Sequence, residues 1–294
     1  MYPSRFRYES PATLDEAIAL LRSGGVDAKV LAGGQSLIPM MKLRFASPAL
    51  LVDINNIPGL DYHRAEADGT YRIGALCRHA DLEKSTTLAA DQPTMAAAAP
   101  LVADPIVRTR GTFVGSVCHA DPQGDWASVM VALDGSIVAQ GPGGRRSVKV
   151  DEFVAGPFQT VLATDEIAVE AVIPAASGTR AGGYLKLERR VGDFATAGVA
   201  VALELSNGSV SKAGIGLTGV GASTINATDA AAALVGSDLG DDAIERAATL
   251  AAGVSQPRSD HRGSADYKRH VIATFVTRIL DNVRRNQTTA PKAA

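Results

Sequence analysis

At 294 residues the chain is long enough for two domains and a sizeable core, and its 29 basic residues nearly balance 31 acidic ones. A net charge of −2 gives no electrostatic footprint for nucleic acid or an anionic membrane surface, and no run of 18 apolar residues is present to span a bilayer. Two cysteines, Cys77 and Cys118, cannot ligate an iron–sulfur cluster, so any electrons handled here must pass to a cluster on another chain. The start, Met1 to Phe6, has no apolar signal core, and a cytoplasmic protein with no disulfide is expected.

In chain order, Thr13-Leu14-Asp15-Glu16 reads as a capping box in which Glu16 reaches back to the cap. Leu14, Ala17, Ile18 and Leu21 follow at helical spacing, and Gly24-Gly25 ends the run. Residues 28–32 are short, apolar and partly β-branched, the pattern of a buried strand, and Met40 to Phe45 read as a short helical turn. A second strand over Leu50–Ile54 closes at Asn55-Asn56-Ile57-Pro58-Gly59, the seam between two small lobes. A strand over Tyr71–Ala75 precedes a short helix at His79–Lys84 and an alanine-rich one at Thr94–Ala103, interrupted at Pro100. A helix over Trp126–Leu133 leads to strands at Ile137–Ala139, Arg146–Val150 and Ile167–Ile173, and Pro174–Gly178 reads as a linker. Beyond it, strands Gly198–Leu205 and Val210–Leu217 join through Asn207-Gly208, the preferred type I′ hairpin turn. Helices are predicted over 228–235, 241–252 and Ser264–Arg285, the last with Tyr267, Val271, Phe275, Ile279 and Val283 as one apolar stripe. Residues 286–294 are polar and read as a frayed tail.

Two glycine segments stand out. Leu31-Ala32-Gly33-Gly34-Gln35-Ser36-Leu37 lies at a strand-to-helix junction, where glycine permits a sharp turn and a close ligand approach. Ser36 is placed to cap the helix, whose N–H groups favour a phosphate. No Gly-Lys-Ser/Thr follows and the spacing is not G-x-G-x-x-G, so neither a P-loop nor a dinucleotide fingerprint is present. A tight turn with no ligand fits the glycines alone equally well. The second segment, Gly111-Thr112-Phe113-Val114-Gly115-Ser116, reads as another glycine-and-hydroxyl turn, followed by Asp121-Pro122 and Asp125.

Together these segments resemble the two flavin-holding motifs in the FAD subunits of molybdenum hydroxylases, the family of xanthine dehydrogenase and aerobic carbon monoxide dehydrogenase. Ala32 to Leu37 match the first motif in full, while Val114 stands where the second prefers glycine. Arg189-Arg190-Val191-Gly192-Asp193-Phe194-Ala195 and Asp260-His261-Arg262-Gly263-Ser264-Ala265-Asp266-Tyr267 resemble two further motifs, in the family's order. The resemblance implies an α+β fold: a PCMH-type FAD-binding domain over 1–176, with subdomains 1–57 and 58–176, then a C-terminal domain over 177–286 and a tail over 287–294. It implies FAD as cofactor, held by Leu31 to Leu37, Val102, Thr112, Val114, Gly115, Ser116, Asp125, Ile167, Lys186 and Phe194. It also implies a small [2Fe–2S] subunit and a large molybdopterin subunit as partners, in a dimer of heterotrimers.

Individual residues carry rival readings. Backbone N–H groups with the hydroxyls of Ser36, Thr112 and Ser116 suit a pyrophosphate. Asp125 either accepts from a cofactor hydroxyl or caps the helix at Trp126. By the resemblance Lys186 lies beside the flavin, though most lysines are exposed surface; Phe194 lies against the ring or is simply core. Cys118, His119, Asp121 and Asp125 are metal-ligand types, but on a strand His119 and Asp121 share a face that Cys118 does not. No H-E-x-x-H or C-x-x-C completes them. His261 and Arg262 beside Asp260 read as helix-entry and subunit-interface groups. Lys186 to Phe194, with Arg189 and Arg190, is the candidate belt for partner docking. A stand-alone flavin oxidoreductase and a non-redox nucleotide-binding assembly module are the alternatives, the second kept open by Val114.

Overall fold

The computed structural model describes residues 2–289. The first unit comprises β1 (Arg7–Glu9), α1 (Leu14–Gly24), β2 (Ala28–Leu31), α2 (Leu37–Lys42) and β3 (Leu50–Asp53). Its strands are parallel in the order β1-β3-β2, with Leu50 opposite both Arg7 and Ala28. The apolar run of β3 is buried on both faces, as a central parallel strand requires. Thr13 caps α1 by accepting from the Glu16 N–H at 3.2 Å. The Glu16 carboxylate reaches one residue further back than the box predicts, to the Ala12 N–H.

The second unit holds β4 (His63–Ala65), β5 (Tyr71–Gly74), α3 (His79–Glu83), α4 (Thr86–Asp91), α5 (Pro93–Ala98), α6 (Pro105–Arg108), α7 (Phe113–His119) and α8 (Asp125–Ala132). It continues with β6 (Ser136–Gly141), β7 (Gly144–Lys149), α9 (Val150–Phe153), β8 (Val154–Gly156), β9 (Gln159–Thr160) and β10 (Ile167–Ile173). Its antiparallel sheet runs β4-β5-β10-β6-β7, and Tyr71, Ile73, Phe113, Trp126, Met130 and Phe153 fill the core beside it. The second glycine segment is therefore no open turn: Gly115 and Ser116 lie inside α7, because Thr112 supplies the cap that starts a helix there.

The third unit is an antiparallel sheet β11-β12-β13-β14, with α10 (Thr228–Ala232), α11 (Asp241–Val254) and α12 (Ala265–Thr289). The strands are β11 (Thr179–Leu187), β12 (Ala197–Ser206), β13 (Ser209–Thr218) and β14 (Ile225–Asn226). Asn207 and Gly208 both have positive φ, 52° and 81°, as a type I′ turn requires. One face packs on α12 and α10 through Val199, Val201, Ile215 and Leu217, with α11 lying against those two helices. On the other face Gly214 and Gly216 bring bare backbone onto the carbonyls of Ala132 and Ser128 in α8. Every residue of α8 is buried, since this helix lies between two layers.

The four-residue stripe on α12 holds only in part. Val271, Ile279 and Val283 are buried together with Ile272, Val276 and Leu280, whereas Tyr267 is 47% exposed. At 3.6 residues per turn a strict four-residue spacing drifts around the helix and leaves the core face. Residues 286–289 of the expected tail are helical, and 290–294 lie outside the described residues.

Candidate functional site

The strand β2 ends at Leu31 and the chain turns through Ala32–Ser36 into α2. Gly34 has φ +74°, a left-handed conformation that costs glycine nothing. A Cβ on Gly33 would collide with the Arg110 carbonyl and sit 2.8 Å from the Gly111 Cα, so the two glycine segments touch here. Among the described residues, the N–H groups of Gly33, Gly34, Gln35 and Ser36 find no acceptor. Ser36 occupies the cap position of α2, yet its hydroxyl makes no capping bond. Four successive donors and a hydroxyl thus stay free on a half-exposed turn, the donor set an anionic diphosphate accepts. FAD, with its pyrophosphate, fits them.

The second segment is occupied by its own chain. Arg110 and Gly111 donate to the Val107 carbonyl, Phe113 to that of Cys77, Ser116 to that of Thr112, and Gly115 to the Thr112 hydroxyl at 3.2 Å. Thr112 is 2% exposed, so its hydroxyl serves the helix. Val114 is buried in the core, while Ser116 is half-exposed. Beneath Gly111 lies His79, whose Nδ1 accepts from the Trp126 indole N–H at 3.0 Å. Burial pushes the His79 pKa down to about 4, helped by the nearby guanidinium groups of Arg108 and Arg78. The ring is neutral, with its proton on Nε2.

Asn55 and Arg78 join the two segments, His79 supports the second alone, and none of the three was singled out from sequence as a site residue. Asn55 Nδ2 donates to the Ala32 carbonyl, and Arg78 donates to both Asn55 Oδ1 and the Arg110 carbonyl. Arg78 lies four residues past β5 in a run that signals only a strand end, so its role comes from tertiary placement.

Asp125 neither caps α8 nor stands open to a ligand. It is the first helical residue, after Gly124 at the cap position, and its oxygens accept from Tyr184 at 2.6 Å and Lys186 at 3.2 Å. Burial raises its pKa against the opposing pull of Lys186. Lys186 is no surface lysine: its side chain is 1% exposed, and Nζ also donates to the carbonyls of Leu101 and Asp193. Glu188 lies 3.3 Å from the same ammonium. Lys186 therefore ties β11 to α8 and to the 101–103 loop. Val102 is buried in that loop, and its carbonyl accepts from Arg108.

Phe194 is not core; it is 49% exposed, and its carbonyl accepts from Arg262 at 2.7 Å. Arg262 also pairs with Asp193, so the Asp260–Gly263 turn braces the 188–194 loop. Ile167 is 2% exposed in the core cluster of α1 and β3, on which Ala32 also packs. The strand reading of residues 118–121 fails, because Cys118 and His119 belong to α7. Among the described residues no group of three metal-ligand side chains gathers, and burial pushes both cysteine thiols up, keeping them protonated.

Residues 4–176 match the family described as the FAD binding domain in molybdopterin dehydrogenase, and residues 183–283 the CO dehydrogenase flavoprotein C-terminal domain. The chain belongs to the FAD-subunit family of molybdenum hydroxylases. It is 42% identical to the carbon monoxide dehydrogenase medium chain of Hydrogenophaga pseudoflava over 281 residues, 96% of this chain and 98% of that one. The nicotine 6-hydroxylase medium subunit of Paenarthrobacter nicotinovorans is 38% identical, over 93% of this chain and 95% of the relative. Among solved structures, carbon monoxide dehydrogenase of Hydrogenophaga pseudoflava superposes with a TM-score of 0.92 at 44% identity, covering 96% and 98% of the two chains. Quinoline 2-oxidoreductase of Pseudomonas putida 86 gives 0.89 at 31%, covering 97% and 99%. The α+β architecture is that of this family, and the chain is its FAD-carrying oxidoreductase subunit.

Proposed function

We propose that the chain relays electrons from [2Fe–2S] clusters on a small partner, through FAD, to a final acceptor, while a large molybdopterin-bearing partner oxidises the substrate. The assembly is a dimer of heterotrimers in the cytoplasm. One observation carries the reading: four consecutive amides in residues 33–36 without an internal acceptor, placed against the second glycine segment. FAD accepts electrons singly and hands them on in pairs, and the protein's part is to hold, orient and tune it.

In this reading Gly33 to Ser36 hold the pyrophosphate, with Leu31, Ala32 and Leu37 shaping the turn. Thr112, Val114, Gly115 and Ser116 form the wall opposite, and Phe194 offers an exposed ring for the isoalloxazine. Lys186, Asp125, Val102 and Ile167 act from beneath, by fixing the elements that carry these groups. The family's C-terminal domain begins past the 174–178 linker, and its 188–194 loop lies against Ala103 and Asp104. Lys186 is buried, so the partner-docking belt contracts to Arg189, Arg190 and the 87%-exposed Val191.

Two relatives are named a medium chain and a medium subunit, which favours a subunit over a stand-alone enzyme. Carbon monoxide and nicotine head the substrates to try, since those relatives are named for them. The test is purification from native cells, followed by addition of candidate substrates without acceptor. Two co-purifying chains and bleaching of the flavin absorbance are expected. A flavin that stays oxidised while the partner's clusters are reduced would remove the relay.

A further inference from the structure

Three hydrogen bonds in series connect the two glycine segments. Asn55 Nδ2 donates to the Ala32 carbonyl at 2.8 Å, Arg78 Nη2 to Asn55 Oδ1 at 2.6 Å, and Arg78 Nη1 to the Arg110 carbonyl at 2.7 Å. The outer ends of this series are the residues that flank the contact between Gly33 and Arg110-Gly111. Asn55 is itself aimed by Asp53, whose Oδ1 accepts from the Asn55 backbone and side chain, while its Oδ2 accepts from the Tyr8 hydroxyl. The series thus reaches from β3 of the first unit, across the seam, to the loop before α7.

We propose that Arg78 and Asn55 act as a clamp that fixes the spacing of the two FAD-holding segments, and thereby sets how tightly the chain retains FAD. The inference rests on the reading of those segments as the FAD site. A bidentate guanidinium suits the task, because its planar fork fixes two acceptors in one geometry. The clamp also holds a cation where it is poorly solvated. Burial and the neighbouring Arg110 pull the Arg78 guanidinium below its usual range. An anionic diphosphate against residues 33–36 relieves that repulsion, so ligand and clamp reinforce each other. Arg78 is a positioning residue here; the donors that meet the phosphates are the amides.

The test uses the protein with its co-purifying subunits, stripped of flavin and titrated with FAD. Arg78→Met, which keeps the stem and removes both donors, is expected to weaken FAD binding about tenfold or more, the scale of a lost charge-assisted hydrogen bond. Asn55→Ala is expected to do the same, and the double variant to lose no more than the worse single one, because links in series fail together. Arg78→Lys, with one point charge for two acceptors, is expected to fall between wild type and Arg78→Met. Should Arg78→Met fail to accumulate, Arg78→Lys decides alone, with about threefold weaker binding expected. FAD affinity within about twofold of wild type in a folded Arg78 variant would overturn the clamp, as would strictly additive losses. Wild-type protein that takes up no FAD would instead overturn the site itself, and the clamp with it.

Discussion

In residues 33–36 four consecutive amides keep their donors free, whereas in residues 110–116 the amides of Arg110, Gly111, Phe113, Gly115 and Ser116 are spent within the chain. Both stretches are glycine and hydroxyl at a helix entrance, yet their side chains do opposite work. The Ser36 hydroxyl is free of its helix, while the Thr112 hydroxyl is committed to its own. In the proposed reading the first segment is therefore the receptor, and the second a packed wall against which the first is pressed. What separates them is what lies underneath. The second rests on His79, Trp126 and Phe113 in the main core, and the first only on the rim of a small parallel sheet.

The largest effect is expected where the two segments meet. Gly33→Val puts its branched side chain into the Arg110 backbone, not into ligand space, and must drive the segments apart. Loss of all bound flavin and more than about 3 kcal/mol of stability are expected, read by absorbance and denaturant unfolding. Folded protein with normal flavin content would break the claim that the segments are pressed together.

Acid should loosen the wall and leave the receptor. His79 titrates at about 4 in the fold against an ordinary value of 6.5. Between these values the unfolded chain holds a proton that the folded one lacks. The stabilisation is whole above pH 6.5, and is lost as pH falls through that window toward 4. Going from pH 7 to 5 should cost about 2 kcal/mol. His79→Gln should flatten that slope, and an unchanged slope would place the acid sensitivity elsewhere.

The same chemical change sharpens the contrast at smaller scale. Thr112→Ala removes a helix cap and should cost about 1 kcal/mol in thermal unfolding, with FAD affinity falling only through that loss. Ser36→Ala should leave stability within about 0.5 kcal/mol and weaken FAD about threefold, since its hydroxyl has only a ligand to serve. Equal responses would erase the distinction between receptor and wall.

Much of the fold was legible because its signals are local. The Thr13 cap, the Asn207-Gly208 turn and the apolar run of β3 lie where sequence places them. The second glycine segment was misread because Gly115 and Ser116 signal a turn, and only the commitment of Thr112 to the Gly115 amide shows that a helix has begun. The bonds between Asp125, Tyr184 and Lys186 were not legible, because they join α8, β11 and the 101–103 loop, which are distant in sequence. The Asn55–Arg78 series was invisible for the same reason: neither residue carries a motif, and their bonds span 23 to 32 positions.

The most direct measurement compares FAD with riboflavin on flavin-stripped protein purified with its native subunits. Riboflavin keeps the isoalloxazine and lacks both the diphosphate and the adenosine, so the difference sets the upper limit on what residues 33–36 contribute. With several charge-assisted bonds at stake, FAD should bind at least about 100-fold more tightly, and Ser36→Ala should narrow that preference by about threefold. Riboflavin binding as tightly as FAD would contradict a phosphate receptor at Gly33–Ser36.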